Sequence, residues 1–281
     1  MIYKHTGTYP RIYGLGAKES FTRWLLALQK LTTKVWYQLV SVQADQNLTF
    51  MNFGYAPAEA DRSEPELDPA DGRNRNTIQL YRRVTAAVDL RGKDVLEVGC
   101  GRGGGAAYIQ KYLTPRSMTG IDFCGKAVAF CVRQHGGKGI SFARGDADAL
   151  DFPPETFDVV VNVESCHCYL SVERFLAGVF RVLRQGGNFL IADMGPKPYI
   201  EALREELGRS GLSMVEEEDI TACVVRALQL TTEKNATEIR AQVPRGVRSL
   251  FSNFAGIEGT PVFEALRRRE WEYVRFVMRK I

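Results

Sequence analysis

A glycine-rich turn between an apolar strand and a helix constrains the fold of this chain more than any other feature. The run DVLEV (residues 94–98) leads into GCGRGGG (residues 99–105), so that Gly99, Gly101 and Gly104 satisfy the G-x-G-x-x-G spacing. Glycines are required there because a ligand approaches the backbone closely. Asp122 ends the next apolar run, where an acid that binds ribose hydroxyls is expected. The pattern predicts a βαβ unit with a nucleotide-type ligand at its first turn.

Strand and helix signals alternate along the chain beyond this loop. After DVLEV come the strand-like runs SMTGID, ISFARGD, FDVVVNV and GNFLIAD with helical segments between them, and LSMVEEEDI and YVRFVMRKI follow. Alternation of apolar runs with helices is typical of a parallel sheet that is covered on both faces. We therefore predict an α/β fold with a doubly wound, mostly parallel, seven-stranded sheet.

The 281 residues exceed what one such domain needs, and the surplus divides into two helical additions. Residues 1–76 are predicted to form an N-terminal cap and linker, with an amphipathic helix from Ser20 to about Ser41. Residues 77–220 and 267–281 form the predicted core, and residues 221–266 form a helical lid. Both additions are rich in apolar and aromatic residues, which predicts a dry pocket for a hydrophobic small molecule.

Composition excludes several classes of protein. A net charge of +4 is too small to indicate a nucleic-acid partner, and the chain has neither an apolar signal core nor a run of eighteen apolar residues. The six cysteines lie in apolar runs, and Cys166, His167 and Cys168 would point to alternate sides of an extended segment. We therefore expect a cytoplasmic protein without a metal site or stable membrane insertion. The N-terminal helix offers a surface for the protein body, for a homodimer or for a membrane.

The glycine loop by itself fits both a nicotinamide enzyme and an S-adenosylmethionine enzyme, and three further features favour the second. Glu97 stands two residues before Gly99, where its carboxylate would repel a pyrophosphate and bind the ammonium group of a methionine moiety. Asp146 follows the third strand, where it can accept a hydrogen bond from the adenine amino group. The chain also ends in a strand after a helical excursion, without a second mononucleotide-binding half.

With these features the chain resembles the S-adenosylmethionine-dependent methyltransferases of the Rossmann-like class. The matching stretches are LEVGCGRGGG, GIDFC, RGDADALDFPPETFDVVVNVES and VLRQGGNFLIAD, which cover most of residues 78–193. The resemblance implies S-adenosyl-L-methionine as the cofactor, with its methionine end over the glycine loop, its ribose at Asp122 and its adenine at Asp146. The cofactor residues implied in this way are Glu97, Gly99, Cys100, Gly101, Asp122, Phe123, Asp146, Ala147 and Asn162.

Two ionisable residues lie at the ends of strands that this topology makes neighbours. His167 follows FDVVVNVES, and Asp193 closes NFLIAD. An alcohol attacks a sulfonium methyl group well only if its proton leaves as the new bond forms, and an imidazole with a pKa near 6.5 is suited to accept that proton. Asp193 would fix the imidazole tautomer. Two alternatives remain, His167 as a residue that only lines the pocket and Asp193 as a helix N-cap or partner of a backbone amide.

Glu164 is the third catalytic candidate, because its carboxylate could order the loop, contact a substrate hydroxyl or stabilise a carbocation. The run ESCH (residues 164–167) resembles sterol C-methyltransferases. The longer run NVESCHCYL, together with FMNFGYAP and GTPVFEAL, resembles the phthiotriol dimycocerosate O-methyltransferases and, more loosely, the rebeccamycin sugar O-methyltransferases. We expect O-methylation of a hydroxyl on a hydrophobic natural product such as a polyketide, lipid or terpenoid. C-methylation of an alkene and cofactor binding without catalysis are the alternatives.

The segment FMNFGYAP supplies the substrate candidates. Asn52, Phe53 and Tyr55 are expected to fold over the cofactor entrance, where Phe53 and Tyr55 would contact substrate. Aromatic faces attract a sulfonium cation electrostatically. The alternative is that these aromatic side chains only seal the core.

Overall fold

A single seven-stranded sheet forms the centre of the molecule. The structure, a computed structural model, describes residues 48–57 and 66–281. The predicted N-terminal helix and its proposed homodimer surface therefore lie outside the described residues. The strands are β1 (Asp94–Val98), β2 (Ser117–Asp122), β3 (Ile140–Arg144), β4 (Phe157–Val163), β5 (Leu183–Pro196), β6 (Ser213–Asp219) and β7 (Trp271–Arg279).

The strands lie in the order β3-β2-β1-β4-β5-β7-β6. Strands β1 to β5 are parallel, and β7 runs antiparallel to β5 and β6. The chain moves outward from β1 to β3 and then returns to β4, so the direction of winding reverses between β1 and β4. A crevice forms at such a reversal, outside the carboxyl ends of the strands. The predicted doubly wound, mostly parallel sheet is confirmed.

Helices cover both faces of the sheet, so consecutive side chains of β1 are buried on opposite faces. Val95 faces a cluster formed with helices α1 (Arg75–Thr85), α2 (Gly104–Tyr112), α6 (Thr221–Gln242) and α8 (Pro261–Arg267). Leu96 and Val98 face a second cluster formed with α4 (Val172–Val182) and α5 (Lys197–Arg209). The remaining α-helices among the described residues are α3 (Gly125–His135), beside β2 and β3, and α7 (Arg248–Phe254).

Helix α4 illustrates how local sequence produces this packing. The Ser171 side chain accepts a hydrogen bond from the Arg174 backbone N–H at 3.1 Å and caps the helix N-terminus. Its inward face consists of Phe175, Leu176, Val179 and Val182, which are spaced at helical periodicity and fully buried. Each of these side chains contributes roughly 1.5–3 kcal/mol through burial, so the face holds β4 and β5 in place.

The predicted lid, residues 221–266, divides into a packed part and an outlying part. Val224, Leu228 and Phe263 are buried in the core cluster beside β7. Residues 229–255 contain no buried side chain, and Leu230 and Leu250 are exposed. The apolar residues of the first turns of α6 therefore stabilise the core, because they belong to the cluster that packs on the sheet.

Candidate active site

The glycine loop lies at the carboxyl ends of β1 and β2. The backbone N–H groups of Gly99 and Cys100 donate to the Ile121 carbonyl at 2.8 and 3.0 Å. Gly99 has a φ of 75°, and a Cβ there would overlap the Ser165 side chain. The protein's own packing thus requires glycine at position 99, in addition to the close ligand approach from which the motif was interpreted.

Asp122 orders this loop. Its Oδ2 accepts a hydrogen bond from the Gly101 N–H at 2.9 Å, and its Oδ1 accepts one from the Cys124 N–H at 2.8 Å. Burial raises the pKa of the carboxyl group to about 6, although these backbone hydrogen bonds lower it. Each oxygen retains acceptor capacity for a ribose hydroxyl. The sequence pattern predicted the position of Asp122. Only the fold shows that its side chain also links the loop after β1 to the turn after β2.

Glu97 is completely buried beneath the glycine loop. Its Oε1 accepts a hydrogen bond from the Tyr81 hydroxyl at 2.5 Å. Burial raises the pKa of the Glu97 carboxyl group to about 7, although the Tyr81 hydroxyl and the Ala106 backbone N–H lower it. Its Oε2 is buried and has no hydrogen-bond partner among the described residues. A buried carboxylate oxygen without a donor is the acceptor that a substituted ammonium group requires, so the site fits the methionine end of S-adenosylmethionine.

The residues assigned to adenine lie at the end of β3. Asp146 is exposed, and its Oδ1 accepts a hydrogen bond from the Asp148 N–H at 3.0 Å. Ala147 beside it is buried. The Phe123 ring is 36% exposed, and the Arg144 guanidinium lies 5.4 Å from its centre. An exposed carboxylate can accept a hydrogen bond from an amino group, and the apolar surface beside it can pack against an aromatic ring.

Asn162 connects the end of β1 to the turn that carries the catalytic candidates. Its Nδ2 lies 2.9 Å from the Val98 carbonyl, 2.8 Å from Ser165 Oγ and 2.7 Å from the Tyr169 hydroxyl. Its Oδ1 is buried with no partner in the described part of the chain. Asn162 was predicted to contact the cofactor, and in the structure its amide nitrogen holds the turn over Gly99.

His167 and Asp193 form a hydrogen-bonded pair at the ends of β4 and β5. His167 Nδ1 lies 2.6 Å from Asp193 Oδ1, and the His167 side chain is 32% exposed whereas that of Asp193 is fully buried. Burial lowers the pKa of the His167 imidazole, but the charge of Asp193, together with the Cys168 thiol, raises it well above 6.5 overall. With Nδ1 bonded to the carboxylate, Nε2 is the ring nitrogen that can accept a proton.

Three further donors hold Asp193 in place. Its Oδ2 accepts hydrogen bonds from the His167 backbone N–H at 2.8 Å and the Tyr199 hydroxyl at 2.7 Å, and its Oδ1 accepts one from the Met194 N–H at 3.0 Å. The predicted interaction with the imidazole and the alternative interaction with backbone amides therefore both occur. A carboxylate held at both oxygens fixes the orientation of the ring.

The turn that carries His167 is not extended, as the sequence interpretation assumed. Residues Cys166–Cys168 form a short 3-10 helix. The side chains therefore do not alternate across a strand, and the earlier geometric reason for excluding a metal site was wrong. No cluster of three histidine, cysteine, aspartate or glutamate side chains within residues 48–57 and 66–281 is arranged to hold a metal ion.

Glu164 precedes this turn and contacts the segment Leu48–Pro57, which we name the strap. Glu164 Oε1 accepts hydrogen bonds from the Phe53 backbone N–H and the Tyr273 hydroxyl, both at 2.8 Å. Burial raises the pKa of the Glu164 carboxyl group to about 7, although these two hydrogen bonds lower it. Three roles were considered for Glu164: ordering the loop, contacting a substrate hydroxyl and stabilising a carbocation. The hydrogen bonds of the folded chain correspond to the first.

The aromatic residues of the strap differ in their environment. Phe53 is 8% exposed and belongs to the core cluster. Tyr55 is half-buried, and burial together with the nearby Cys223 thiol raises the pKa of its hydroxyl group far above 10. Phe53 therefore seals the core in this conformation, and Tyr55 lies where the strap meets Cys223 at the start of α6.

Sequence reasoning missed the tyrosine hydroxyls that bond to the acids. No functional role was assigned to Tyr81 from the sequence, and Tyr273 was included only as the first residue of the last strand-like run. Buried tyrosine hydroxyls usually have a hydrogen-bond partner, and this rule was the available signal for both. Tyr199 follows Asp193 by six residues at the start of α5, so its position in the chain was a further signal.

The buried acids predict how stability depends on pH. The pKa values of Glu97, Glu164 and Asp122 rise on folding to about 7, 7 and 6 from 4.5, 4.5 and 3.8. The folded chain therefore binds more protons than the unfolded chain within this window, and stability decreases as pH rises through it. We expect the Tm of the ligand-free protein to fall by roughly 5 °C between about pH 5 and pH 7.5.

Differential scanning calorimetry measures this effect, and Glu97→Gln is the informative variant. Because glutamine does not ionise, the variant should show a smaller decrease in Tm over the same pH interval. An equal decrease in both proteins would show that Glu97 ionises normally.

Comparisons with known proteins agree with this arrangement. Residues 96–191 match the family model described as a methyltransferase domain. The phthiotriol/phenolphthiotriol dimycocerosates methyltransferase of Mycobacterium tuberculosis is 37% identical over 252 residues, which are 89% of this chain and 93% of that protein. The fatty-acid O-methyltransferase of Mycolicibacterium smegmatis is 38% identical over 231 residues, 82% of each chain.

Solved structures share the fold at low sequence identity. The [4+2]-cyclase SpnF has a TM-score of 0.69 and 19% identity, covering 89% of this chain and 96% of its own. Geranyl diphosphate C-methyltransferase from Streptomyces coelicolor has a TM-score of 0.63 and 14% identity, covering 87% of this chain and 98% of its own. These two likenesses concern the fold alone, since one of the proteins is described as a cyclase.

The fold and the family model together define an S-adenosylmethionine-dependent methyltransferase. The chain belongs to the methyltransferase family that includes the mycobacterial phthiotriol/phenolphthiotriol dimycocerosates methyltransferases and the fatty-acid O-methyltransferase. Its cofactor is S-adenosyl-L-methionine. No helix in the described residues has the length and apolar character of a membrane span.

Proposed function

We propose that this enzyme methylates a hydroxyl group of a hydrophobic, lipid-type small molecule. The observation that carries the proposal is the 2.6 Å contact between His167 Nδ1 and the fully buried Asp193. Asp193 lies on β5 and His167 lies in the turn that follows the neighbouring strand β4, at the sheet edge where α/β enzymes bind their ligands. The pair provides an oriented imidazole with one ring nitrogen available to accept a proton.

The glycine loop is the proposed cofactor site. Glu97 would bind the ammonium group of the methionine moiety, Asp122 the ribose hydroxyls, and Asp146 with Ala147 the adenine. Gly99, Cys100 and Gly101 would lie against the methionine end, with Phe123 beside the adenine. The buried Oε2 of Glu97, which has no donor in the described structure, supports this assignment.

The chemistry requires one proton transfer. When bound, S-adenosylmethionine would supply an electrophilic methyl group, whose bond to sulfur breaks on transfer and gives a neutral thioether. The substrate oxygen forms the new bond to carbon while its proton moves to His167 Nε2. Asp193 stabilises the resulting imidazolium, and Tyr199 holds Asp193 in position. Proximity and orientation in the crevice provide the rest of the acceleration.

The electrostatics of the site favour an alcohol over a fatty acid as the substrate. Glu97, Asp122, Glu164 and Asp193 place four carboxyl groups at this edge of the sheet. A carboxylate substrate would add a like charge in a region of low dielectric, whereas a neutral hydroxyl would not. A carboxylate also needs no general base, so the His167–Asp193 pair would have no proton to accept from it.

The lipid character of the substrate rests on the relatives and on apolar surface. The mycobacterial relatives are named for phthiotriol dimycocerosates and for a fatty acid. On this chain, Leu230 and Leu250 expose apolar surface on α6 and α7. A long apolar substrate would cover such surface, which is otherwise in water.

Methyl-labelled S-adenosylmethionine tests the proposal. The purified protein is incubated with three compounds of equal chain length, a long-chain alcohol, a fatty acid and an alkene. We expect label on the alcohol oxygen, with the alcohol methylated at least ~10-fold faster than the acid because of the like-charge penalty. Label on an alkene carbon would instead support C-methylation. Cofactor binding with no transfer to any of them would support a non-catalytic role.

A further inference from the structure

The strap is joined to both halves of the proposed site. At one end, the Thr49 carbonyl accepts a hydrogen bond from the Gly104 N–H at 3.1 Å, and the Leu48 carbonyl accepts one from Arg102 Nε. At the other end, the Ala56 N–H donates to the Cys223 carbonyl at 3.1 Å. The strap therefore runs from the glycine loop to the start of α6.

Glu164 connects the middle of the strap to the sheet. Its Oε1 accepts the Phe53 N–H from the strap and the Tyr273 hydroxyl from β7. Its own backbone N–H donates to the Ala192 carbonyl of β5 at 2.9 Å. Glu164 thus joins the strap to β7 through its side chain and to β5 through its backbone.

The backbone of Glu164 is in an unfavourable conformation. Its φ is 50°, in the left-handed region, which is unfavourable for a residue other than glycine. Strain of this kind persists only where surrounding contacts determine it, and it often occurs at functional sites. The three hydrogen bonds of Glu164 are those contacts.

The strap also reaches the carboxylate beneath the glycine loop. The ring of Phe50 lies 6.0 Å from that of Tyr81 in an edge-on arrangement, and Tyr81 donates its hydrogen bond to Glu97. Movement of the strap would therefore change the packing around Glu97 as well as the contact with Glu164.

We propose that Glu164 is a positioning residue that closes the strap over the methionine end of the cofactor, and that it does so more strongly for the charged cofactor than for the neutral product. This inference rests on the proposed function only in placing the cofactor at the glycine loop. A sulfonium beneath the strap favours the ionised Glu164, which is the stronger acceptor for the Phe53 N–H. Methyl transfer removes that positive charge, so the hydrogen bond weakens and the strap can open for product release.

The groups that face Glu164 agree with this behaviour. Asp193 on β5 disfavours the charge on Glu164, and His167 favours it. Tyr273 on β7 donates to Glu164, and the carboxylate of Glu164 contributes to raising the pKa of the Tyr81 hydroxyl on α1. Burial raises the pKa of Glu164 itself to about 7, so its protonation responds to one added or removed charge near neutral pH.

Two measurements that do not require methyl transfer test the inference. Isothermal titration gives the Kd of S-adenosylmethionine and of S-adenosylhomocysteine, and hydrogen–deuterium exchange follows the amides of residues 48–57. In the wild-type protein we expect tighter binding of the charged cofactor and stronger protection of the strap by it. In Glu164→Gln the ratio of the two Kd values should fall by about tenfold, and strap protection should become the same with both ligands.

Tyr273→Phe is the matched control, since it removes the other hydrogen bond to Glu164 Oε1 and keeps the charge. It should retain most of the wild-type Kd ratio. The inference is overturned if Glu164→Gln keeps either the wild-type ratio or the cofactor-specific protection. If the Kd ratios and the strap protection are as expected but the wild-type protein methylates no alcohol, that result would count against the proposed function alone.

A measurement on the wild-type chain covers the case in which Glu164→Gln does not fold. With S-adenosylhomocysteine bound, the strap should exchange faster at pH 6 than at pH 8 after correction for intrinsic rates, because Glu164 becomes protonated. With S-adenosylmethionine bound, this difference should be smaller. Equal protection by the two ligands at both pH values would overturn the inference.

Discussion

Replacing His167 by asparagine is expected to lower kcat for alcohol methylation by about 10²–10⁴-fold. Asparagine can still form hydrogen bonds but cannot accept a proton at neutral pH. If His167 only lined the pocket, turnover would decrease far less. The Kd of S-adenosylmethionine should stay within about threefold of the wild-type value, because no cofactor contact is assigned to His167. Single-turnover methyl transfer and isothermal titration measure the two quantities.

Leu170→Ala is the matched control for His167→Asn. Leu170 is exposed, lies in the same loop and contributes no ionisable group. We expect near-normal turnover. Turnover within about fivefold of wild type for His167→Asn would remove the general-base role and leave a pocket-lining one.

The pH profile provides an independent test of the pair. A base must be unprotonated to act, so kcat should rise as pH increases through the pKa of His167, which Asp193 raises well above 6.5. Asp193→Asn removes the negative charge and lowers this pKa. We therefore expect its profile to shift to lower pH, with a lower plateau because the ring is no longer oriented.

Glu97→Gln is expected to weaken S-adenosylmethionine binding by about 30–100-fold, because the variant loses a buried charge-assisted hydrogen bond to the ammonium group. Glutamine keeps an acceptor for the Tyr81 hydroxyl, so the fold should persist. The ligand-free variant should be more stable than wild type at about pH 8, since a buried carboxylate without a donor to Oε2 is removed. Titration calorimetry and thermal unfolding measure the two effects.

The product provides the control for Glu97→Gln. S-adenosylhomocysteine carries the same ammonium group, so its Kd should increase by a similar factor. The ratio of the two Kd values then stays at the wild-type level, unlike the ratio expected for Glu164→Gln. An unchanged Kd for both ligands would show that Glu97 does not bind the methionine end.

Much of the fold followed from local pattern. The alternation of apolar runs with helical segments predicted all seven strands. The signal is clearest for the central parallel strands β1 and β4, because burial on both faces leaves a continuous apolar run. The lid was less predictable. Val224 and Phe263 have the same apolar character whether they pack on β7 or line a pocket, and only the fold distinguishes the two environments.

The candidate site also contains residues that the sequence identified and residues whose roles only the structure shows. Asp122 and Glu97 were found because they stand at fixed distances from the glycine turn, where backbone geometry determines their place. The roles of Tyr81, Tyr199 and Tyr273 were missed, since the partner of a hydroxyl group depends on packing between elements. Glu164 and Tyr273, for example, are 109 residues apart in the chain and 2.8 Å apart in space.

The sequence by itself therefore determined the fold class and the place of the glycine loop, and it predicted that His167 and Asp193 lie close together. The glycine loop and the two residues all follow the carboxyl ends of strands, and the order of strands in a doubly wound sheet brings those ends together. The tertiary structure decided which donors hold each buried acid, and hence that Glu164 holds the strap while Glu97 keeps one oxygen without a donor. Such contacts depend on side-chain distances of a few ångströms, which only the packed chain defines.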